Sequence, residues 1–184
     1  MVCNLVKRSI ILFHPRTLHE KNYRYYHVPY SLLAIATVID TEKYNIVIID
    51  DNVYKNDSYF DVLKEHKDSL FCVGISSMIG AQITHGLLFA QEVRNFDKKI
   101  PIVWGGALPT ILPELIESSE LCDVAIMGQG ERVWQELIER FENNKPYIDI
   151  DGIAYKDSSA DVVVNARKEL EDVNLFPPYS TVYK

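Results

Sequence analysis

The residues best placed to do chemistry cluster where apolar runs of strand length stop. One run ends in Ser76-Ser77-Met78-Ile79-Gly80, a second in Gly105-Gly106-Ala107-Leu108-Pro109-Thr110, and a third in Gly128-Gln129-Gly130-Glu131. Hydroxyls and a glycine at a strand end can hydrogen-bond the polar atoms of a ligand; they can equally cap the next helix. Paired glycines leave the main chain bare, which suits a bulky ligand lying against it, and on their own they read as a tight turn with positive φ. Recurrence of such punctuation at three strand ends favours binding, because ligands of open parallel sheets lie beyond the carboxyl ends of the strands. Two further strand ends carry polar residues, His14-Pro15 and Asp50-Asp51. The acidic pair has the chemistry to hold Mg²⁺ or a ribose hydroxyl, but strand termination and capping of the next segment is the preferred reading.

Those stretches must be positioned by ordinary globular elements. At 184 residues with 47% hydrophobic content, the chain is long enough for a layered core. A formal net charge of -7 and a pI near 5.2 leave no basic field to neutralise phosphates, so no nucleic-acid partner is expected. Lys98-Lys99 reads as a solvated helix end. Cys3, Cys72 and Cys122 are scattered, as in a reducing compartment, with Cys72 and Cys122 read as buried small hydrophobes. No apolar run approaches bilayer length, and neither a signal peptide nor a membrane span is expected; a cytoplasmic protein is the expectation.

Along the chain, strand-like and helix-like segments alternate. Ser9–Phe13 predicts a first strand, followed by a polar, aromatic loop over Arg16–Tyr30 that holds Tyr23, Tyr25, Tyr26, Tyr30, His19 and His27. A loop of that length is functional or, equally, an amphipathic cover for the core. Leu32, Leu33, Ala36 and Ile39 mark a helical face; Ile46–Ile49 predicts strand two, Asp61–Lys67 a polar helix and Phe71–Ile75 strand three. Gln82–Phe96 predicts a helix, Ile102–Trp104 strand four, Glu114–Ser118 a brief helix and Cys122–Met127 strand five. Val133, Trp134, Leu137, Ile138 and Phe141 have the spacing of a helix packed on a sheet. Ile153–Tyr155 and Val162–Val164 predict a β-hairpin, and the tail with Pro177-Pro178 has linker character.

Five strands alternating with helices predict a doubly wound parallel five-stranded α/β sheet, Rossmann-like in its three layers, with a C-terminal β-hairpin appendage. The flavodoxin-like order 2-1-3-4-5 is preferred, since no G-x-G-x-x-G follows strand one. The expected division is 1–147 for the α/β domain, 148–172 for the hairpin and 173–184 for a linker. That order sets His14-Pro15, Ser76 to Gly80, Gly105 to Thr110 and Gly128 to Glu131 around one crevice.

In Gly74-Ile75-Ser76-Ser77-Met78-Ile79-Gly80, the Trp104-Gly105-Gly106-Ala107-Leu108-Pro109-Thr110 turn, and Asp123-Val124-Ala125-Ile126-Met127-Gly128-Gln129-Gly130-Glu131, the chain resembles the N-terminal cobalamin-binding domain of cobalamin-dependent radical S-adenosylmethionine enzymes. The resemblance covers nearly the whole chain. It implies that Ser76, Ser77 and Met78 take the place of an S-x-L segment whose hydroxyls meet the nucleotide tail of cobalamin. It sets Gly105 and Gly106 beside that tail, between sheet and helix, and Gly128, Gly130 and Glu131 at the crevice rim. His14, Pro15, Ile79, Gly80, Ala107, Leu108 and Pro109 lie in the same loops and are expected as further cofactor contacts. An apolar slot suits a neutral benzimidazole, and backbone without Cβ atoms suits a threaded tail.

Two departures qualify what the resemblance implies. The loop after strand one reads His14-Pro15-Arg16-Thr17-Leu18-His19, without the D-x-H-x-x-G of methionine-synthase-like domains, so cobalamin held base-off without that histidine ligand is expected. His14 or His19 could still reach cobalt, but a histidine at a strand end is more often a polar loop residue, and no metal ligand is assigned. Leu108 stands where the family often has histidine, which would make the lower cobalt face more apolar. The chain has no C-x-x-x-C-x-x-C, so S-adenosylmethionine and a [4Fe-4S] cluster are expected only in a C-terminal radical domain in cis, beyond the linker. Methyl transfer is the commoner outcome in the family this chain resembles. By itself the chain reads as a binding module. The alternative is a nucleotide- or flavin-binding regulatory module without cobalamin, since serines and glycines at strand ends also cradle phosphates. A phosphoacceptor receiver is excluded, because the places of its acidic and lysine residues hold His14, Ser76 and Gly128.

Overall fold

The computed structural model describes residues 7–17, 28–54, 58–114 and 120–182. The strands are β1 (Arg8–His14), β2 (Tyr44–Asp50), β3 (Leu70–Ser76), β4 (Ile102–Gly105), β5 (Val124–Ile126), β6 (Ile153–Lys156) and β7 (Val162–Asn165). The helices are α1 (Tyr30–Thr37), α2 (Tyr59–His66), α3 (Ala81–Phe96), α4 (Ala107–Ile111) and α5 (Glu131–Glu142). They build a 7-stranded sheet in the order β2-β1-β3-β4-β5-β6-β7. The first five strands are parallel and the last two pairings antiparallel. The predicted order 2-1-3-4-5 is therefore the observed one. The hairpin joins that sheet as its continuation, and Ile153 and Tyr155 belong to the main core.

The pleat explains why the central strands read as unbroken apolar runs. Ile10 and Leu12 of β1 face one layer, which holds Leu32 and Ala36 of α1 and Val133, Trp134, Leu137 and Ile138 of α5. Ile11 and Phe13 face the other, with Tyr59 and Leu63 of α2 and Phe89, Ala90 and Val93 of α3. A parallel sheet covered on both faces needs apolar residues at every position. Two glycines admit tryptophans into these layers. A Cβ at Gly74 of β3 would stand 3.0 Å from the ring of Trp134, and one at Gly86 of α3 would stand 2.5 Å from the ring of Trp104. Neither glycine has a substitute at that packing density.

Several boundaries differ from the sequence expectation. β5 shortens to Val124–Ile126, and at its start the Asp123 carboxylate receives the Ile102 N–H and the Arg94 guanidinium. Pro109 lies inside the five-residue α4, a helix the sequence pattern does not show. The predicted helix over Glu114–Ser118 falls largely outside the described residues, as do Tyr23, Tyr25, Tyr26, His19 and His27. The tail forms 3₁₀ turns at Val173–Leu175 and Tyr179–Thr181, and Val182 packs on the core. Residues 173–182 thus fold back on the domain. Among the described residues no helix is long and apolar enough to cross a membrane.

Candidate functional site

A slot of about 200 Å³ opens at the carboxyl edge of β3, β4 and β5, on the face covered by α1 and α5. Its sheet wall is Gly74, Ile75, Ser76, Val103, Gly105, Gly106 and Ile126; its helical wall is Ser31, Leu32, Ala34 and Ile35 of α1 with Trp134 of α5. Gly128, Gln129, Gly130 and Glu131 close one end. The walls are mostly carbon. At the mouth the Ser31 and Ser76 hydroxyls lie 3.1 Å apart, and the Trp134 indole N–H is buried without an acceptor. A buried donor left unmade is costly, and the Trp134 ring forms part of the slot wall.

Three strand ends are cross-bonded around this slot. Ser77 N–H donates to Gly105 O at 2.9 Å, and Leu108 N–H donates to Ser77 O at 3.0 Å, tying the ends of β3 and β4. Thr110 then bridges to the end of β5: its hydroxyl donates to Gly106 O at 2.7 Å and accepts the Gly128 N–H at 2.8 Å. Thr110 closes the predicted glycine motif, and its hydroxyl is the signal that could have marked it as a brace.

The two paired glycines have different jobs. Gly106 has φ +96, and a Cβ there would stand 2.7 Å from Ser77 O; it is glycine because the backbone demands it. A Cβ at Gly105 would meet nothing within 4 Å, so that position is open to whatever the slot holds. The other predicted site residues divide by place. Ser76, Gly105, Gly106, Gly128, Gly130 and Glu131 line the slot. Ser77 is buried beneath it and turns its hydroxyl to Met78 O. Met78 and Ile79 project from the sheet edge, 60% and 62% exposed, beside exposed Gly80 and Ala107. Leu108 and Pro109 form the buried side of α4, and Leu108 packs in the core on the face opposite the slot. The expectation that Leu108 contributes an apolar surface at the crevice is thereby corrected: the α4 turn, begun by Gly106, rotates it into the α2–α3 layer.

The loop leaving β1 is held by a buried polar cluster that has no signature in the sequence. Strand termination, the role expected of the Asp50-Asp51 pair, falls to Asp50, which accepts the Asn52 N–H at 3.0 Å. Asp51 instead makes a bidentate ion pair with Arg16 (2.7 and 2.8 Å) and is 1% exposed. Its backbone N–H donates to His14 O at 2.9 Å. Gln82, 2% exposed, donates to Pro15 O at 2.8 Å and accepts the Met78 N–H at 2.7 Å, linking the β1 and β3 loops. His14 is half-buried with Nδ1 unpartnered, and burial pushes its pKa below the ordinary 6.5 against the pull of Asp50 and Asp51. Among the described residues no cluster of three or more His, Cys, Asp or Glu could hold a metal ion.

An open α/β domain with an apolar slot at the carboxyl edge of its parallel strands is a ligand-binding domain, and the slot lies where such sheets bind. The B12 binding domain family model matches residues 21–138, and the chain belongs to that family. It is similar to the structure of the radical S-adenosylmethionine methyltransferase TsrM from Kitasatospora setae with cobalamin and a [4Fe-4S] cluster bound (TM-score 0.72, 17% identity, 91% of this chain and 30% of that one). It is also similar to the cobalamin-dependent S-adenosylmethionine radical enzyme OxsB with aqua-cobalamin and S-adenosylmethionine bound (TM-score 0.70, 19% identity, 89% of this chain and 23% of that one). An uncharacterised methyltransferase of Pyrococcus horikoshii is 26% identical over 132 residues, 71% of this chain and 28% of that protein. The chain therefore spans under a third of the length of each.

Proposed function

We propose that this chain binds cobalamin with the nucleotide tail in the slot, as the cobalamin domain of a radical S-adenosylmethionine enzyme that is a methyltransferase in its whole form. The observation that carries the reading is the slot itself. Its floor is bare backbone at Gly105, its walls are Leu32, Ile35, Val103, Ile126 and Trp134, and its polar groups are few and at defined places. A flat aromatic base fits such walls, while Ser31 and Ser76 meet the sugar and phosphate end. Gly106, Gly128, Gly130 and Glu131 complete the rim. His14, Met78, Ile79, Gly80 and Ala107 stand at the sheet edge as candidate contacts of the corrin ring, whereas Pro15, expected as a contact, is buried with its carbonyl bonded to Gln82. Membership of the B12 binding domain family and the fold shared with TsrM and OxsB support the reading.

Bound cobalamin supplies a cobalt centre able to carry a methyl group; the residues of this chain bind the tail, orient the ring and exclude water. These 184 residues hold no C-x-x-x-C-x-x-C, and in this reading the radical chemistry falls to a C-terminal radical domain in cis. The test is incubation with hydroxocobalamin, desalting, and visible absorbance of the protein fraction. Stoichiometric retention of the cobalamin spectrum is expected. Retention of a flavin or nucleotide in the same assay, with no cobalamin, overturns the reading in favour of the alternative module. The purified chain with reductant is expected to release no 5′-deoxyadenosine from S-adenosylmethionine.

A further inference from the structure

The segment after β7 contacts the turn that closes one end of the slot and the start of the α1 wall. Arg167, whose side chain is 13% exposed, donates from Nε (3.3 Å) and Nη2 (3.1 Å) to Met127 O, and from Nη2 also to Gln129 O. Two positive-φ glycines make room for this guanidinium: a Cβ at Gly152 would lie 3.0 Å from Nη2, and one at Gly128 would lie 3.5 Å from Nε. Four residues on, Glu171 is held through its main chain by one side chain, its N–H donating to Gln129 Oε1 at 2.9 Å and its carbonyl accepting from Nε2 at 3.2 Å. Its carboxylate accepts the Arg132 Nε–H at 2.7 Å, on the first turn of α5. These contacts fix the Gly128–Glu131 turn from behind. Farther along, Tyr179 packs on Tyr30 with ring centroids 5.8 Å apart, next to Ser31 in the opposite wall, and Val182 enters the core that holds Leu32 and Ala36.

We infer that residues 166–182 are a strap belonging to the cofactor site: Arg167 is a positioning residue that sets the Gly128–Glu131 turn, and strap docking and slot filling reinforce each other. The inference rests on the reading of the slot as the seat of the nucleotide tail. Main-chain carbonyls of Met127 and Gln129 point at Arg167, so loss of the guanidinium leaves them unpaired and frees the turn that closes the slot. Because coupling between two sites is reciprocal, a ligand that seats against the turn must also hold the strap.

The experiment titrates the parent, Arg167→Ala, Arg167→Lys and Arg132→Ala with hydroxocobalamin and, in parallel, with cobinamide, which lacks the tail. Arg167→Ala is expected to weaken hydroxocobalamin binding about tenfold and cobinamide binding by less than about threefold, and Arg167→Lys is expected to recover part of the loss. Amide hydrogen exchange is expected to quicken across residues 129–134 in unloaded Arg167→Ala, and to slow at Glu171 when the parent is loaded. Equal loss for both corrinoids marks general destabilisation and overturns the inference, as does an unchanged affinity. Should Arg167→Ala fail to fold, Arg132→Ala, outside the slot lining, removes the Glu171 carboxylate attachment and carries the same comparison. Failure of the parent to take up hydroxocobalamin overturns the functional reading and the cofactor role of the strap together; parent-like binding by the variants overturns the strap alone.

Discussion

Gly106 and Ser77 are in backbone contact so close that no side chain fits between them: a Cβ on Gly106 would lie 2.7 Å from Ser77 O and 3.1 Å from Ser77 N. Gly105, one residue earlier, faces open space. Substitution at the two positions is therefore expected to separate folding from binding. Gly106→Leu combines a positive φ with a backbone clash and should cost about 2–3 kcal/mol, lowering the melting temperature by roughly 5–10 °C. Gly105→Leu should keep the parent's circular dichroism and melting temperature, yet weaken cobalamin binding at least about tenfold, because its side chain occupies the slot. Equal cobalamin affinity of folded Gly105→Leu and parent would remove this turn from the binding site.

The Asp51–Arg16 pair makes a prediction about stability. Asp51 is fully buried and Arg16 nearly so, and loss of the Asp51 charge removes a bidentate charge-assisted pair from a poor solvent. Asp51→Asn is expected to destabilise the protein by about 3–5 kcal/mol, read as a fall in the urea midpoint with an unchanged slope. Replacing both partners, with Arg16→Met and Asp51→Leu, should recover much of that loss, since the desolvation cost disappears with the charges. A double variant no better than the single one would show that the pair's hydrogen bonds, rather than charge burial, dominate.

Period and punctuation carry much of this fold in the sequence. Ile10 to Phe13, Val133-Trp134 and Leu137-Ile138 face where their spacing predicts, and the strand-end glycines gather at one edge. The illegible part depends on partners distant in sequence. Gly74 and Gly86 look like ordinary positions in a strand and a helix until Trp134 and Trp104 are set against them. Arg167 and Gln129 carry no local pattern, because their hydrogen bonds join residues about 40 positions apart. Asp51 sits beside Asp50 in the same dipeptide, and only the pleat decides which carboxylate turns inward to Arg16. Leu108 departs from its expected place for a related reason: the turn begun by Gly106 sets which face of α4 is buried.

The thiols supply a chemical check on the core. Cys72 is fully buried within the sheet; Cys122, expected to be buried, is only half-buried and donates from Sγ to Val124 O at 3.4 Å. Burial pushes both thiols well above their ordinary range, so neither forms thiolate at neutral pH. Iodoacetamide at about pH 8 is expected to leave Cys72 unmodified in the folded protein and to alkylate it in denaturant, as read by peptide mass spectrometry. Rapid labelling of Cys72 in the native protein would contradict the packing of α5 on β1 and β3.

His14 makes stability depend on pH in a direction set by its surroundings. Its ring ends β1 with Nδ1 buried and unpartnered, and desolvation lowers its pKa below 6.5, while the charges of Asp50 and Asp51 only partly restore it. The folded state thus binds this proton less readily than the unfolded chain does. Between the lowered value and 6.5 the unfolded state holds more protons, so this residue's contribution is complete above 6.5 and is lost as the pH falls through that value. Denaturation of the parent and of His14→Gln at steps from about pH 8 to about pH 5 isolates the effect, because every other carboxylate and histidine is common to both. The stability of the parent relative to His14→Gln is expected to decline across that window and to level off once the folded-state histidine is itself protonated. Parallel pH profiles for the two proteins would mean that His14 titrates alike folded and unfolded, and a rise of the parent towards acid pH would mean that Asp50 and Asp51 outweigh burial.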